Sequence, residues 1–140
     1  MTQDEDHLRL LSIFHYVVGV LAALLALFPI FHMLLGLFLI LAPEKFGSKA
    51  QAPPAFIGWF FVGFAACFMI AGWTFATLVI MTGRFIARCK YYTFCFVMAA
   101  VESLFMPFGT VLAVFTLVVL LRESVKRMFE ANKVIAARVA

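Results

Sequence analysis

The chain has 140 residues, 66% of them apolar, with eleven basic and seven acidic side chains and a formal charge of +4. A mean hydropathy of +1.09 excludes an ordinary soluble globular domain, and the length fits one domain. No basic patch interleaves with exposed-type aromatics, which excludes a nucleic-acid surface; the charge bears on membrane topology and lipid headgroups instead.

Residues 13–42, 55–81 and 91–121 form near-continuous apolar runs, and about 20 such residues cross a bilayer core. The expected fold is all-α: one polytopic membrane domain over 1–140, a four-transmembrane-helix bundle with a cytoplasmic C-terminal helix. Residues 1–9 are acidic rather than basic, so they lack the n-region of a secretory signal and the first span is expected to be a retained anchor. That span covers 13–41, with Asp4 or Asp6 capping the helix start. Its 29 residues make about 44 Å, so the span must tilt, protrude or kink at Pro29. Pro43 and the loop 44–54 end it. Pro53 and Pro54 suit the entry to a second span, 55–82, because proline at a first helical turn removes no needed donor. Gly83 and the basic stretch 84–90 lead into a third span, 85–106. Met106-Pro107-Phe108-Gly109 is the turn before a fourth, 107–121. Fifteen residues reach only about 22 Å, so the hairpin tip should sit below the outer surface; a re-entrant hairpin is the alternative. The tail, 122–140, reads as a helix with Val125, Met128 and Phe129 on one side.

Four crossings put nine basic residues on one side: Arg9, then Arg84, Arg88 and Lys90, then Arg122, Lys126, Arg127, Lys133 and Arg138. Lys45 and Lys49 fall on the other. The positive-inside rule then predicts both termini in the cytoplasm.

Several rows could carry function. Gly63, Cys67 and Ala71 stand at i, i+4, i+8, a small-residue spacing that lets helices approach in lipid; the row fits bundle packing or self-association. Phe56, Phe60, Phe64 and Phe68 form an aromatic ridge on an adjacent row, suited to lipid, partner or quinone contact. Trp59 fits an interfacial anchor, and Trp73 a deeper contact. The ionisable residues within spans, His15, His32 and Glu102, are functional candidates by their position. His15 is expected near the inner face. His32 and Glu102 are expected at matching depth in the outer half, as an intramembrane polar pair. Cys67, Cys89 and Cys95 show no metal-type spacing and no disulfide framework; Cys89, among basic residues, could be acylated.

Two histidines on one helix invite a haem reading. They are seventeen residues apart, about 26 Å along the axis and about 100° around it, and no other span supplies an axial histidine. No cofactor and no metal is therefore expected, with haem b or quinone as minor alternatives. Paired carboxylates, a nucleophile–base pair, a phosphate loop and a Cys/His cluster are all missing from the sequence pattern, so no catalytic residue and no enzyme activity is expected.

The segments Leu10-Leu11-Ser12-Ile13-Phe14-His15-Tyr16 and Met106-Pro107-Phe108-Gly109-Thr110 resemble those of small bacterial four-span membrane proteins. The resemblance implies a bacterial inner membrane and brings no activity or site residues. The function expected from the residues is a non-enzymatic membrane protein acting through helix packing, as a self-associating oligomer or an accessory subunit of a larger membrane complex. The alternatives are an oligomeric channel or transporter using His32 and Glu102, or a quinone, lipid or haem binder.

Overall fold

A computed structural model describes residues 3–46, 54–104 and 108–139. The described elements are helical throughout. Helix α1 (Gln3–Leu25) opens with Asp4, Glu5 and Asp6 in its first turn, where acidic groups favour the positive end of the helix dipole. It stops short of Pro29, which has no N–H and whose ring crowds the carbonyl four residues back. Over residues 26–29 the ladder tightens to i→i−3 bonds, with the Leu27 N–H on Leu24 O at 3.1 Å and the Phe28 N–H on Leu25 O at 3.0 Å. Helix α2 (Ile30–Leu41) restarts beyond this break, which lies at Pro29, one of the three accommodations open to so long a span. A single 3₁₀ turn, Pro43–Phe46, follows. Of the loop expected over 44–54, residues 47–53 lie outside the described residues, as do Met106 and Pro107 of the expected hairpin turn.

Helix α3 (Ala55–Ala87) is unbroken for 33 residues. Gly83, expected to end it, lies inside, and the helix closes with Arg84 in its last turn. The reversal comes later, where Cys89 and Tyr91 adopt left-handed backbone angles (φ 48° and 53°). Helix α4 therefore runs only from Tyr92 to Glu102, α5 from Phe108 to Leu120 and α6 from Glu123 to Val139. At 1.5 Å per residue α4 is about 16 Å long and α5 about 20 Å, each short of the roughly 30 Å hydrocarbon core. Among the described residues two stretches, Gln3–Leu41 and Ala55–Ala87, are long and apolar enough to cross a membrane. The lengths of α4 and α5 do not by themselves carry the expected third and fourth crossings.

The chain divides into two compact units, Ala22–Phe75 and the combination of Met1–Leu21 with Ala76–Ala140. In the first, α3 runs antiparallel to the end of α1 and to α2 on a glycine seam. A Cβ on Gly36 would lie 2.7 Å from Gly58 O, and one on Gly72 would lie 2.7 Å from the Ala26 Cβ, so only glycine permits these approaches. Gly58, Ala65 and Gly72 repeat every seven residues, the spacing that keeps one face of a helix on its neighbour. In the second unit, Leu8 and Leu11 of α1, Ile86 of α3, Cys95 of α4, Leu112, Val119 and Leu120 of α5, and Val125 and Phe129 of α6 share one core. The apolar side expected for the tail is there: Val125 and Phe129 are buried and Met128 packs beside them. Hydrogen bonds fasten the ends of the α4–α5 hairpin, from Thr110 Oγ1 to Ser103 O (3.0 Å) and from the Tyr92 hydroxyl to Leu120 O (3.0 Å). Arg122 Nη1 reaches Asp4 Oδ1 at 3.1 Å, and Asn132 Nδ2 donates to Arg88 O at 2.5 Å.

Candidate functional site

The second unit encloses polar groups of four helices. Ser12 and His15 stand on α1, Thr82 and Gly83 on α3, and Glu102 ends α4. A Cβ on Gly83 would lie 2.9 Å from the His15 Cβ and 3.0 Å from Ser12 O; its hydrogen side chain is what lets α1 and α3 meet here. The closeness allows Ser12 Oγ to donate to Gly83 O at 2.8 Å. Thr82 satisfies its hydroxyl on the carbonyl one turn back, Leu78 O at 2.9 Å, and buried Thr116 on α5 does the same on Leu112 O at 2.7 Å.

His15 and Glu102 are both 0% exposed. His15 Nδ1 lies 2.8 Å from Leu11 O, and a carbonyl only accepts, so Nδ1 carries a hydrogen. The other nitrogen, Nε2, faces Glu102 Oε2 at 3.3 Å. The contact is an approach rather than a hydrogen bond, and among the described residues Nε2, Oε1 and Oε2 have no hydrogen-bond partner. Neither group would be tolerated here alone, because an uncompensated buried charge or donor costs several kcal/mol. Glu102 is also the last residue of α4.

Glu102 thus pairs with His15 rather than with His32. The expectation for Glu102 used a third span beginning at Phe85; α4 begins at Tyr92, so Glu102 lies only about 15 Å along its helix. His32 belongs to the other unit, stacked on Phe61 (centroids 6.3 Å apart, planes at 12°) and tilted against Phe28 at 5.7 Å. Among the described residues it makes no hydrogen bond or ion pair. A haem axial role for His15 would require breaking its contact with Glu102.

The rows on α3 are displayed rather than covered. Gly63 has nothing within 4 Å of the position of a Cβ, and Cys67 and Ala71 are exposed. Phe56, Phe60, Phe64 and Phe68 are 70%, 67%, 48% and 55% exposed. Their rings form a continuous ladder from Phe60 to Phe68, with centroids 6.0 and 4.5 Å apart. Trp59 and Trp73 are exposed as well. At 100° per residue Gly63 and Cys67 each stand about 160° from Ala65 of the seam, on the opposite side of α3.

Sequence reasoning passed over Gly83 and Ser12, which hold α1 and α3 together beside the pair, and the seam glycines Gly36, Gly58 and Gly72. The seven-residue repeat was the available signal for Gly58 and Gly72. Cys89 sits half-buried at the α3–α4 reversal, and desolvation, with a smaller contribution from Glu5, pushes its thiol above the ordinary cysteine value. A raised thiol is a weaker nucleophile at neutral pH. No family model, curated protein or solved structure matches this chain.

Proposed function

We propose that this is a non-enzymatic integral membrane protein that works through helix packing, self-associating along the uncovered small-residue row of α3 in a bacterial inner membrane. One observation carries the reading. α3 has small residues on two sides, and among the described residues only one is occupied: Gly58 and Gly72 meet α1 and α2, while Gly63 meets nothing within 4 Å. In lipid, association depends on close backbone approach rather than on the hydrophobic effect, so an open small-residue row is the feature that favours a second helix. The stacked Phe ridge beside it would interlock with that helix.

In this reading α1–α2 and α3 cross the bilayer. The short α4–α5 hairpin enters one leaflet and returns, clamped to α1 by His15 and Glu102. Both termini and the basic residues from Arg84 to Lys90 then share the cytoplasmic side, which the positive-inside bias supports. The channel alternative drew on a His32–Glu102 pair; a carboxyl closed against His15 at 0% exposure lends that path no support.

Mass measurement of the intact particle in mild detergent tests the proposal. The expected result is a multiple of the 15.7 kDa chain that reverts to monomer with Gly63→Phe. A clean monomer for the unaltered protein would refute it, and a particle holding a different polypeptide would replace self-association with an accessory-subunit role.

A further inference from the structure

The α3–α4 reversal, the start of α4 and one side of α6 surround a cavity of about 720 Å³, within the size range of small-molecule sites, about 300–1,000 Å³. Lys90 lines it from the reversal, and Lys126 and Lys133 line it from α6. The two α6 lysines are seven residues apart, two turns along one face. Glu130 is the acidic residue of the lining, so three cations stand against one anion. Lys126 also has Glu123 at 3.6 Å; Lys90 and Lys133 have no ion pair among the described residues. Asn132 fixes the α6 side of the cavity through its bond to Arg88 O.

The neutral part of the wall also suits an anion. Tyr92 and Thr93 open α4 at this cavity, and Tyr91 at its N-cap supplies no side-chain bond to the first turn. The leading N–H groups of α4 therefore have no intrahelical acceptor and add to the lysine field. The rest of the lining is largely aromatic and apolar: Tyr91, 67% exposed, with Phe94, Phe129 and Ala136. A cationic cavity with an aromatic and apolar wall fits an amphiphile with an anionic head.

The geometry points to a phosphate-binding site at Lys90, Lys126 and Lys133 that holds the headgroup of an anionic phospholipid. The lipid source depends on the membrane placement proposed above, which brings the α3–α4 reversal and α6 to the inner surface; phosphate recognition by the lysines does not. Juxtamembrane lysines act on anionic headgroups through short-range, salt-screened attraction, so binding should weaken as ionic strength rises.

The experiment uses the full chain in nanodiscs of phosphatidylcholine with or without phosphatidylglycerol, followed by mild extraction and native mass measurement, and a parallel titration with inorganic phosphate. The site predicts retained phosphatidylglycerol, reduced on the order of tenfold by the double variant Lys90→Gln/Lys133→Gln. Arg127→Gln removes one charge from the same helix outside the lining and should leave retention unchanged. Circular dichroism of each variant verifies that α6 remains folded. Phosphate bound through Lys90 and Lys133, without lipid retention, would uphold the anion chemistry and overturn the lipid source. Equal losses in the double variant and Arg127→Gln, or no binding of either ligand, would overturn the site itself.

Discussion

Between Ala22 and Phe75, nothing larger than alanine is buried among the described residues: Ala26, Gly36, Gly58 and Ala65. The other unit buries Ile86, Leu120 and Val125 completely, and with them His15, Thr82, Glu102 and Thr116. The first unit is two helical arms meeting on glycine, with leucine and phenylalanine turned outward, as lipid or another helix would require. The second has a mixed core like that of a water-soluble domain, in which buried hydroxyls bond to backbone carbonyls and His15 faces Glu102. Adjacent lengths of α1 and α3 thus pack by two different rules. Where neighbours are thin, contact depends on the absence of side chains; where five helical segments converge, it depends on filling space and pairing polar atoms.

Breaking the polar pairing should give the largest effect. His15→Leu or Glu102→Leu leaves one buried partner alone, and each is expected to cost about 3 kcal/mol. The double variant should cost clearly less than the two singles together, because it removes both polar groups from the core. Reversible unfolding in mixed detergent reads all three. Additive losses would mean that the two residues do not face one another.

Smaller effects should separate the packed glycines from the open one. Gly36→Ala forces a methyl to within 2.7 Å of Gly58 O, and Gly83→Ala places one 2.9 Å from the His15 Cβ. Each should destabilise by about 1–3 kcal/mol, since backbone cannot yield cheaply. Gly63→Ala meets nothing and should be neutral or, through helix propensity, stabilising by up to about 1 kcal/mol. The same unfolding assay applies; comparable losses at all three glycines would erase the distinction between the two faces of α3.

Some of this was legible in the amino-acid order because it depends on local rules. The apolar runs set α1–α2 and α3, Pro29 set the break between them, and the spacing of Val125, Met128 and Phe129 set the buried side of α6. The partner of Glu102 was not legible, because it depends on where α4 begins, and neither Gly83 nor the basic stretch marks that point. Gly83 reads as a helix end by local preference, yet tertiary contact with Ser12 and His15 keeps it inside α3. The i, i+4 row at Gly63 was visible, but its exposure depends on which other side of α3 the neighbours occupy. The seven-residue repeat through Gly58, Ala65 and Gly72 decides that.

Oxidative cross-linking of Cys67 in native membranes probes the proposed α3–α3 contact most directly, because this thiol lies in the middle of the uncovered row. A band of twice the chain mass is expected, absent in Cys67→Ser and abolished by Gly63→Phe. If Cys67 reacts with maleimide in those membranes yet yields no dimer, the row does not face a second copy and the self-association account fails.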